Sequence, residues 1–258
     1  MTKRFRMIAG PNGSGKTTLT AWLARDYAVN FYLRLNADDL FAEASRTLSL
    51  AAPIPVSAEA LARYAAASAY SEDVKARFAS GRVQVEDDHV RFAAAEDVNS
   101  YTVALVTNFL QSECLANGVS FSQETVFSHP SKIEALAAAR AAGYRTYLYY
   151  VATPSPSVNV RRVSNRASQG GHAVPETKIR ERYGRSLANV RRALPYLSRA
   201  FFFDNGGSGM SYLADYSAES GMSFHGDFAA FPAWFRELGL EMKQLENFKH
   251  AEGGNGSW

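Results

Sequence analysis

The chain has a single cysteine, Cys114, among its 258 residues. One cysteine excludes an intrachain disulfide and a thiolate metal cluster, and fits a reducing, cytosolic setting. No run of about eighteen apolar residues occurs, so no membrane-spanning helix is expected. The opening "MTKRFRMIAGPNG" turns to Gly and Asn too early for a signal peptide. No second His or Cys stands at ligand spacing from His172, so that histidine is not read as a metal ligand. No apolar run is read as a conventional Walker B segment. Internal repeats are lacking, as is a linker that cleanly separates two domains. Residues 1–258 are therefore expected to form one domain, with 47% hydrophobic residues to supply its core.

The net charge is only +3, but it is unevenly spread. Between Arg161 and Arg199 stand nine Arg and one Lys against two Glu, a local +8 that leaves about −5 elsewhere. Such a segment attracts an anion: a nucleotide, an anionic sugar or a nucleic acid. The aromatics within it are Tyr183 and Tyr196 only. That gives no evident stacking platform for bases and argues against nucleic acid.

Strand-like and helix-like segments alternate along the chain. "RFRMIAG" (4–10) reads as a buried strand and "KTTLTAWLARDY" (16–27) as a helix. "FYLRLNADD" (31–39), "VSFSQETVF" (119–127), "YRTYLYYVAT" (144–153) and "RAFFFDNGG" (199–207) read as further strands. Helices are expected over 95–118 and 130–143, the latter with Pro130 near its start and Gly143 at its end. This alternation predicts a three-layer α/β sandwich, with a mostly parallel central sheet and helices on both faces. Residues 56–80 read as Ala-rich helix, and "GRVQVEDDHVRF" (81–92) as a hairpin around Asp87-Asp88. The region 60–95 thus reads as an inserted helix–hairpin element. "MSYLADYS" reads as a last strand and "FAAFPAWFRELG" as a closing helix broken by Pro232. The tail after about 245 reads as disordered.

Between the first strand and the first helix lies Gly10-Pro11-Asn12-Gly13-Ser14-Gly15-Lys16-Thr17-Thr18. It matches G-x-x-x-x-G-K-[ST], in the strand–loop–helix context that motif requires. Glycines let backbone N–H groups converge on phosphate oxygens, and the helix aims its positive end at the same anion. Lys16 is expected on the β- and γ-phosphates, and the Thr17 hydroxyl on Mg²⁺. The motif leaves the reaction open among switches, motors and small-molecule kinases.

Asp38 and Asp39 fall at the carboxyl end of the second strand, the edge that carries ligands in open parallel sheets. One of them is expected to face the site and the other to cap the next helix. Glu124, followed by Thr125, ends the third strand. It stands in for the missing Walker B acid, either binding Mg²⁺ through water or holding an acceptor. Arg162 and Arg166, four apart, share a helix face. Gly170-Gly171-His172 interrupts, and Pro175 starts a second helix on which Ile179, Tyr183, Leu187, Val190 and Leu194 form an apolar stripe flanked by Arg180 and Arg182. This segment, about 161–185, reads as a lid whose closure would bring arginines onto a triphosphate and expel water. Arg191 and Arg192, late in the second helix, suit its dipole. Asp204 and Asn205 read as a turn, with proximity to a nucleotide base the other reading.

Taken together, "MIAGPNGSGKTTL", "LNADDL", "FSQETVFSHPSKIEALAAARAAGY" and "RRVSNRASQGGHAVPETKIRERYGRSLANV" resemble, in order, the zeta toxin-like phosphate-loop kinases, over most of residues 5–205. The resemblance implies transfer of a γ-phosphate from ATP or GTP, with Mg²⁺, to a hydroxyl of a small acceptor. In the toxins proper that acceptor is a UDP-linked N-acetyl amino sugar. It also implies Asp38 as general base, through the Asn-x-Asp pattern at Asn36 and Asp38, and Lys16 as phosphate anchor. Glu124 and Thr125 would hold the acceptor or order the site, and Arg162, Arg166, Arg180 and Arg182 would clamp the phosphates. A small antitoxin is the protein partner it suggests. The 60–95 element falls where acceptor specificity would be set.

Overall fold

The computed structural model of the chain describes residues 2–36, 47–49, 54, 56–86, 89–170, 173–207 and 209–239. Asp38, Asp39, Asp87, Asp88, His172 and the tail after 245 lie outside the described residues.

In chain order the elements are β1 (Arg4–Ala9), α1 (Lys16–Asp26), β2 (Leu33–Leu35), β3 (Thr47–Ser49), α2 (Ala58–Ala67), α3 (Glu72–Ala79), β4 (Val83–Glu86) and β5 (His89–Phe92). Then follow α4 (Ser100–Asn117), β6 (Phe121–Thr125), α5 (Ser131–Ala141), β7 (Arg145–Ala152), α6 (Pro156–Ser168) and α7 (Glu176–Ala193). The chain closes with β8 (Arg199–Asp204), β9 (Ser211–Ser217), β10 (Gly221–Phe224) and α8 (Ala233–Arg236). They fall into two compact units, Met1–Asn30 with Thr125–Trp258, and Phe31–Glu124.

The first unit is built on the strand order β10-β9-β8-β7-β1. β1, β7 and β8 run parallel, with Met7 opposite Leu148 and Leu148 opposite Ala200. β9 and β10 form the antiparallel margin. Phe5, Met7, Leu148, Tyr150 and Phe202 are fully buried, as near-continuous apolar strands of a parallel sheet should be. The short α8 closes this core after Pro232. Trp234 packs against Tyr150 at 5.9 Å and Phe235 against Phe202 at 5.5 Å. Trp234 Nε1 donates to Asp204 Oδ1 at 2.8 Å, which gives the buried indole N–H its partner. The expected last strand is present as β9, and β10 is an addition: the "GMSF" run is too short to read as a strand without its partner Ala214–Ser217.

In the second unit β2 pairs in parallel with β6, Leu35 opposite Gln123. The helix expected over 56–80 is two helices, broken at Ser68–Ser71. Ser57 caps α2 by accepting from the Ala60 amide at 3.1 Å. The expected hairpin forms as β4 and β5, and β3 adds to the far side of β5, which extends the element back to residue 47. The carboxylate of Asp97, fully buried, takes Arg77 Nη1 at 2.7 Å, Arg82 Nε at 3.1 Å and the Ala94 amide at 3.1 Å. One acid thereby ties α3, the start of β4 and the entry to α4 together.

Candidate nucleotide site

The loop after β1 has the backbone its glycines permit. Gly10 has φ 153°, Gly13 73° and Gly15 94°, all in the region that favours glycine. Two of these positions are also closed by neighbours. A Cβ on Gly10 would stand 2.0 Å from the Val151 carbonyl oxygen, and one on Gly15 would stand 2.3 Å from Asn205 Nδ2. Gly15 forms the amino-terminal cap of α1 without any side-chain cap, and no acidic residue occupies the first turn of α1. The helix therefore presents its positive end with no side chain capping it, which is the arrangement that binds anions. Lys16 Nζ donates to the Gly10 carbonyl at 3.0 Å and to that of Pro11 at 3.2 Å, so its ammonium lies folded over the loop. Ser14 Oγ is buried with no hydrogen-bond partner among the described residues, a hydroxyl available to donate to a phosphate oxygen. Thr17 and Thr18 are exposed on the first turn of α1.

The loop is held from three sides. The Gly10 amide donates to the Thr125 carbonyl at 3.3 Å. Asn159 of α6, fully buried, donates from Nδ2 to the Asn12 carbonyl at 2.5 Å. Asn205, just past β8, donates from Nδ2 to the Ser14 carbonyl at 2.9 Å, while its own amide donates to the Ala152 carbonyl at 2.8 Å. The turn reading of Asp204-Asn205 therefore missed a clamp on the phosphate loop. Asp204 anchors that clamp by accepting from the Gly206 amide at 2.9 Å and from Trp234. Asn159 had no sequence signal beyond its place in the first turns of α6.

Thr125 occupies both its carbonyl, on Gly10, and its hydroxyl oxygen, which accepts the Phe127 amide at 3.1 Å. Phe127 is fully buried at φ 62°, a conformation uncommon for a bulky residue. Asn189 of α7 holds it by donating from Nδ2 to the Phe127 carbonyl at 3.0 Å. Glu124, the partly buried residue before Thr125, ends the second unit.

The two arginine-bearing helices are present as α6 and α7. Ile179, Tyr183 and Val190 are buried as the stripe predicts, and Leu194 is buried just beyond the helix. Tyr183 Oη donates to the Thr153 carbonyl at 2.7 Å, and burial pushes its pKa well up, so it remains a neutral donor. The arginines divide. Arg180 is paired with Glu176 at 2.7 Å and reaches Ser157 Oγ at 3.3 Å, and Arg185 pairs with Glu181 at 3.7 Å. Arg162 lies beside the loop, its Cβ 3.4 Å from where a Cβ on Gly13 would stand. Arg162 and Arg182 are half-buried and Arg166 is exposed. No group of three His, Cys, Asp or Glu suited to a metal ion occurs among the described residues, and no helix among them is long and apolar enough to cross a membrane.

This geometry is that of a phosphate-binding loop on a kinase-like α/β fold, and similar chains share it. A chain of the AvrRxo1-ORF1:AvrRxo1-ORF2 complex crystallised with sulphate ions matches at 14% identity with a TM-score of 0.52, over 92% of this chain and 63% of that one. In the same complex crystallised with ATP, the match covers 99% of this chain and 66% of that one, at 14% identity and a TM-score of 0.52. The chain thus spans slightly less than two thirds of those chains. A chain of the PezAT chromosomal toxin-antitoxin system of Streptococcus pneumoniae matches at 12% identity with a TM-score of 0.51, over 97% of this chain and 88% of that one. At such identities the likeness is one of fold, and it agrees with the zeta toxin-like resemblance of the motifs. No curated protein matches the sequence. A family model described as AAA domain matches residues 6–185, more than half of the chain, and the protein belongs to that family of phosphate-loop domains.

Proposed function

We propose that the protein is a phosphotransferase of the zeta toxin-like kind, moving the γ-phosphate of ATP or GTP to a hydroxyl of a small, nucleotide-sugar-like acceptor. The phosphate loop carries the nucleotide part of this reading, with three positive-φ glycines, an α1 amino terminus with no side-chain cap and Lys16 poised over the loop, and the ordered set of motifs resembling the zeta toxin-like kinases supports the transfer part. The residues present fit a nucleoside triphosphate with Mg²⁺. The Gly10 and Gly15 positions leave no room for a side chain, and Ser14 Oγ is a buried hydroxyl in want of an acceptor. Thr17 and Glu124 would hold Mg²⁺, which when bound neutralises charge on the β- and γ-phosphates.

In this reading Lys16 leaves the Gly10 and Pro11 carbonyls and takes up the β- and γ-phosphates. The α1 dipole and the loop amides stabilise charge that develops on transfer. Arg162, Arg166 and Arg182 move onto the phosphates from α6 and α7, and Arg180 does so by exchanging Glu176 for phosphate. Asp38 takes the proton of the acceptor hydroxyl, which Glu124 and Thr125 orient. A UDP-N-acetyl amino sugar is the acceptor of choice, and the element around 60–95 sets its fit. The toxin-antitoxin origin of one fold neighbour supports a small antitoxin as partner.

The test is mass spectrometry of acceptor pools incubated with the protein, ATP and Mg²⁺, with Lys16→Ala and Asp38→Asn alongside. The pools hold UDP-amino sugars, nucleosides and short oligonucleotides. A phosphorylated UDP-amino sugar that both variants fail to make is the expected result. Full transfer by Asp38→Asn would remove Asp38 as the base. Bound but intact ATP with every acceptor would overturn the phosphotransferase reading in favour of a partner-regulated nucleotide-binding module.

A further inference from the structure

A relay of buried polar groups runs from α7 to the phosphate loop. Tyr183 Oη donates to the Thr153 carbonyl at 2.7 Å. Thr153 Oγ1 donates to Asn159 Oδ1. Asn159 Nδ2 donates to the Asn12 carbonyl at 2.5 Å. Thr153 and Asn159 are fully buried, and Tyr183 is nearly so. The Asn12 carbonyl can only accept, so it fixes the NH₂ end of the Asn159 amide toward the loop and leaves Oδ1 to Thr153, whose hydroxyl also lies 3.1 Å from the Ser155 carbonyl.

The Asn12–Gly13 peptide is planar and trans, so its C=O and N–H point in opposite directions. Holding the Asn12 oxygen toward α6 turns the Gly13 N–H away from α6. Helix α6 also abuts Gly13 directly, through backbone and side chain: a Cβ there would stand 3.1 Å from the Asn159 carbonyl oxygen and 3.2 Å from Val163 Cγ2. Gly13, at φ 73°, is thus fixed in place by α6 while its N–H is aimed elsewhere.

We propose that Asn159 is a positioning residue of the phosphate loop: it turns the Asn12–Gly13 peptide so that the Gly13 N–H donates to the β-phosphate end of a bound nucleotide. The inference rests on the nucleotide reading of the loop. It adds that the loop is set by the helix that carries Arg162 and Arg166, through Asn159, and is steadied from α7 through Tyr183 and Thr153. Nucleotide affinity is then tied to the docking of the two helices even before any arginine touches a phosphate.

Asn159→Asp tests this, because it keeps the size and the acceptor for Thr153 while replacing the NH₂ donor with an oxygen that faces the Asn12 carbonyl. Binding of ADP and ATP with Mg²⁺ is measured by displacement of a fluorescent nucleotide, and the Gly13 amide is followed by ¹⁵N–¹H spectroscopy. Wild type is expected to bind both nucleotides, with the Gly13 N–H moving downfield on binding. Asn159→Asp is expected to weaken ADP and ATP alike by roughly tenfold, as for one lost hydrogen bond with its partner left buried. The downfield shift of Gly13 should be lost, which a merely structural role would not cause. Thr153→Val, which removes the hydroxyl from Asn159 Oδ1 and from the Ser155 carbonyl but leaves the Asn159 NH₂ in place, should weaken both by about threefold and serves if Asn159→Asp does not fold. Wild-type affinity with an unchanged Gly13 shift, in whichever variant folds, overturns the proposal. Absence of nucleotide binding by wild type, with Lys16→Ala no different, overturns the nucleotide reading itself and the proposal with it.

Discussion

Replacing Gly15 by Ala places two separable burdens on the phosphate loop. The first is conformational. Gly15 sits at φ 94° and ψ 29°, and a left-handed backbone costs an L-residue about 1–2 kcal/mol. The second is steric. The new Cβ would meet Asn205 Nδ2 at 2.3 Å, so that the side chain must leave its place on the Ser14 carbonyl. Giving up that bond adds about 0.5–1.5 kcal/mol. Gly15→Ala should therefore lose about 1.5–3.5 kcal/mol, and Asn205→Ala alone about 0.5–1.5 kcal/mol. The double variant should cost no more than Gly15→Ala by itself, because the bond has already been lost and the clash removed. The coupling energy, about 1 kcal/mol in the sense of less-than-additive loss, is within the reach of a double-mutant cycle. Thermal and urea unfolding of the four proteins measures it, with and without ATP and Mg²⁺. Strict additivity would refute the reasoning, because it would mean that Asn205 does not occupy the space beside Gly15.

Three further outcomes follow from the same geometry. Asp97→Ala removes the acid shared by Arg77 and Arg82 and should destabilise the second unit by about 3–5 kcal/mol, read as lost hydrogen-exchange protection in α3, β4 and α4. Asn189→Ala leaves the buried Phe127 carbonyl without its donor and should cost about 1–3 kcal/mol in urea unfolding, whereas Arg192→Ala, which only touches Asn189 Oδ1 at 3.3 Å from the surface, should cost little. Burial lowers the pKa of Lys132 from 10.5 to about 8. Its folded-state pKa is depressed, so between those values the unfolded chain holds a proton that the folded chain has released, and stability rises with pH. Below that window the cost of the buried charge is present in full. Unfolding measured across the window should show this rise in wild type and a flatter profile in Lys132→Met.

Several features of this protein follow from the sequence by itself, for a shared physical reason: each is local. The loop from Gly10 to Thr18 is legible because phosphate binding needs glycines, a lysine and a hydroxyl at fixed spacing within one turn of chain. The parallel strands read as apolar runs because both of their faces are covered, and α7 is visible through its stripe of Ile179, Tyr183 and Val190. The closing helix, read as broken by Pro232, is confined to Ala233–Arg236 after that residue, because proline fits the beginning of a helix and not its interior.

What the tertiary structure decided lies where distant segments meet. Asn205 and Asn159 stand 191 and 147 positions from the loop carbonyls they hold, and an asparagine at a strand end or in a helix carries no local sign of such a partner. The left-handed Phe127 runs against its own residue preference and is kept there by Asn189, 62 positions away. The same holds for the arginines. The sequence presents Arg162, Arg166, Arg180 and Arg182 as equals, because charge and spacing are all that it offers. Packing separates them: Glu176, one turn earlier on α7, engages Arg180, while the backbone of α6 sets Arg162 against Gly13. Local chemistry thus wrote the phosphate loop, and long-range packing decided which side chains hold it in shape.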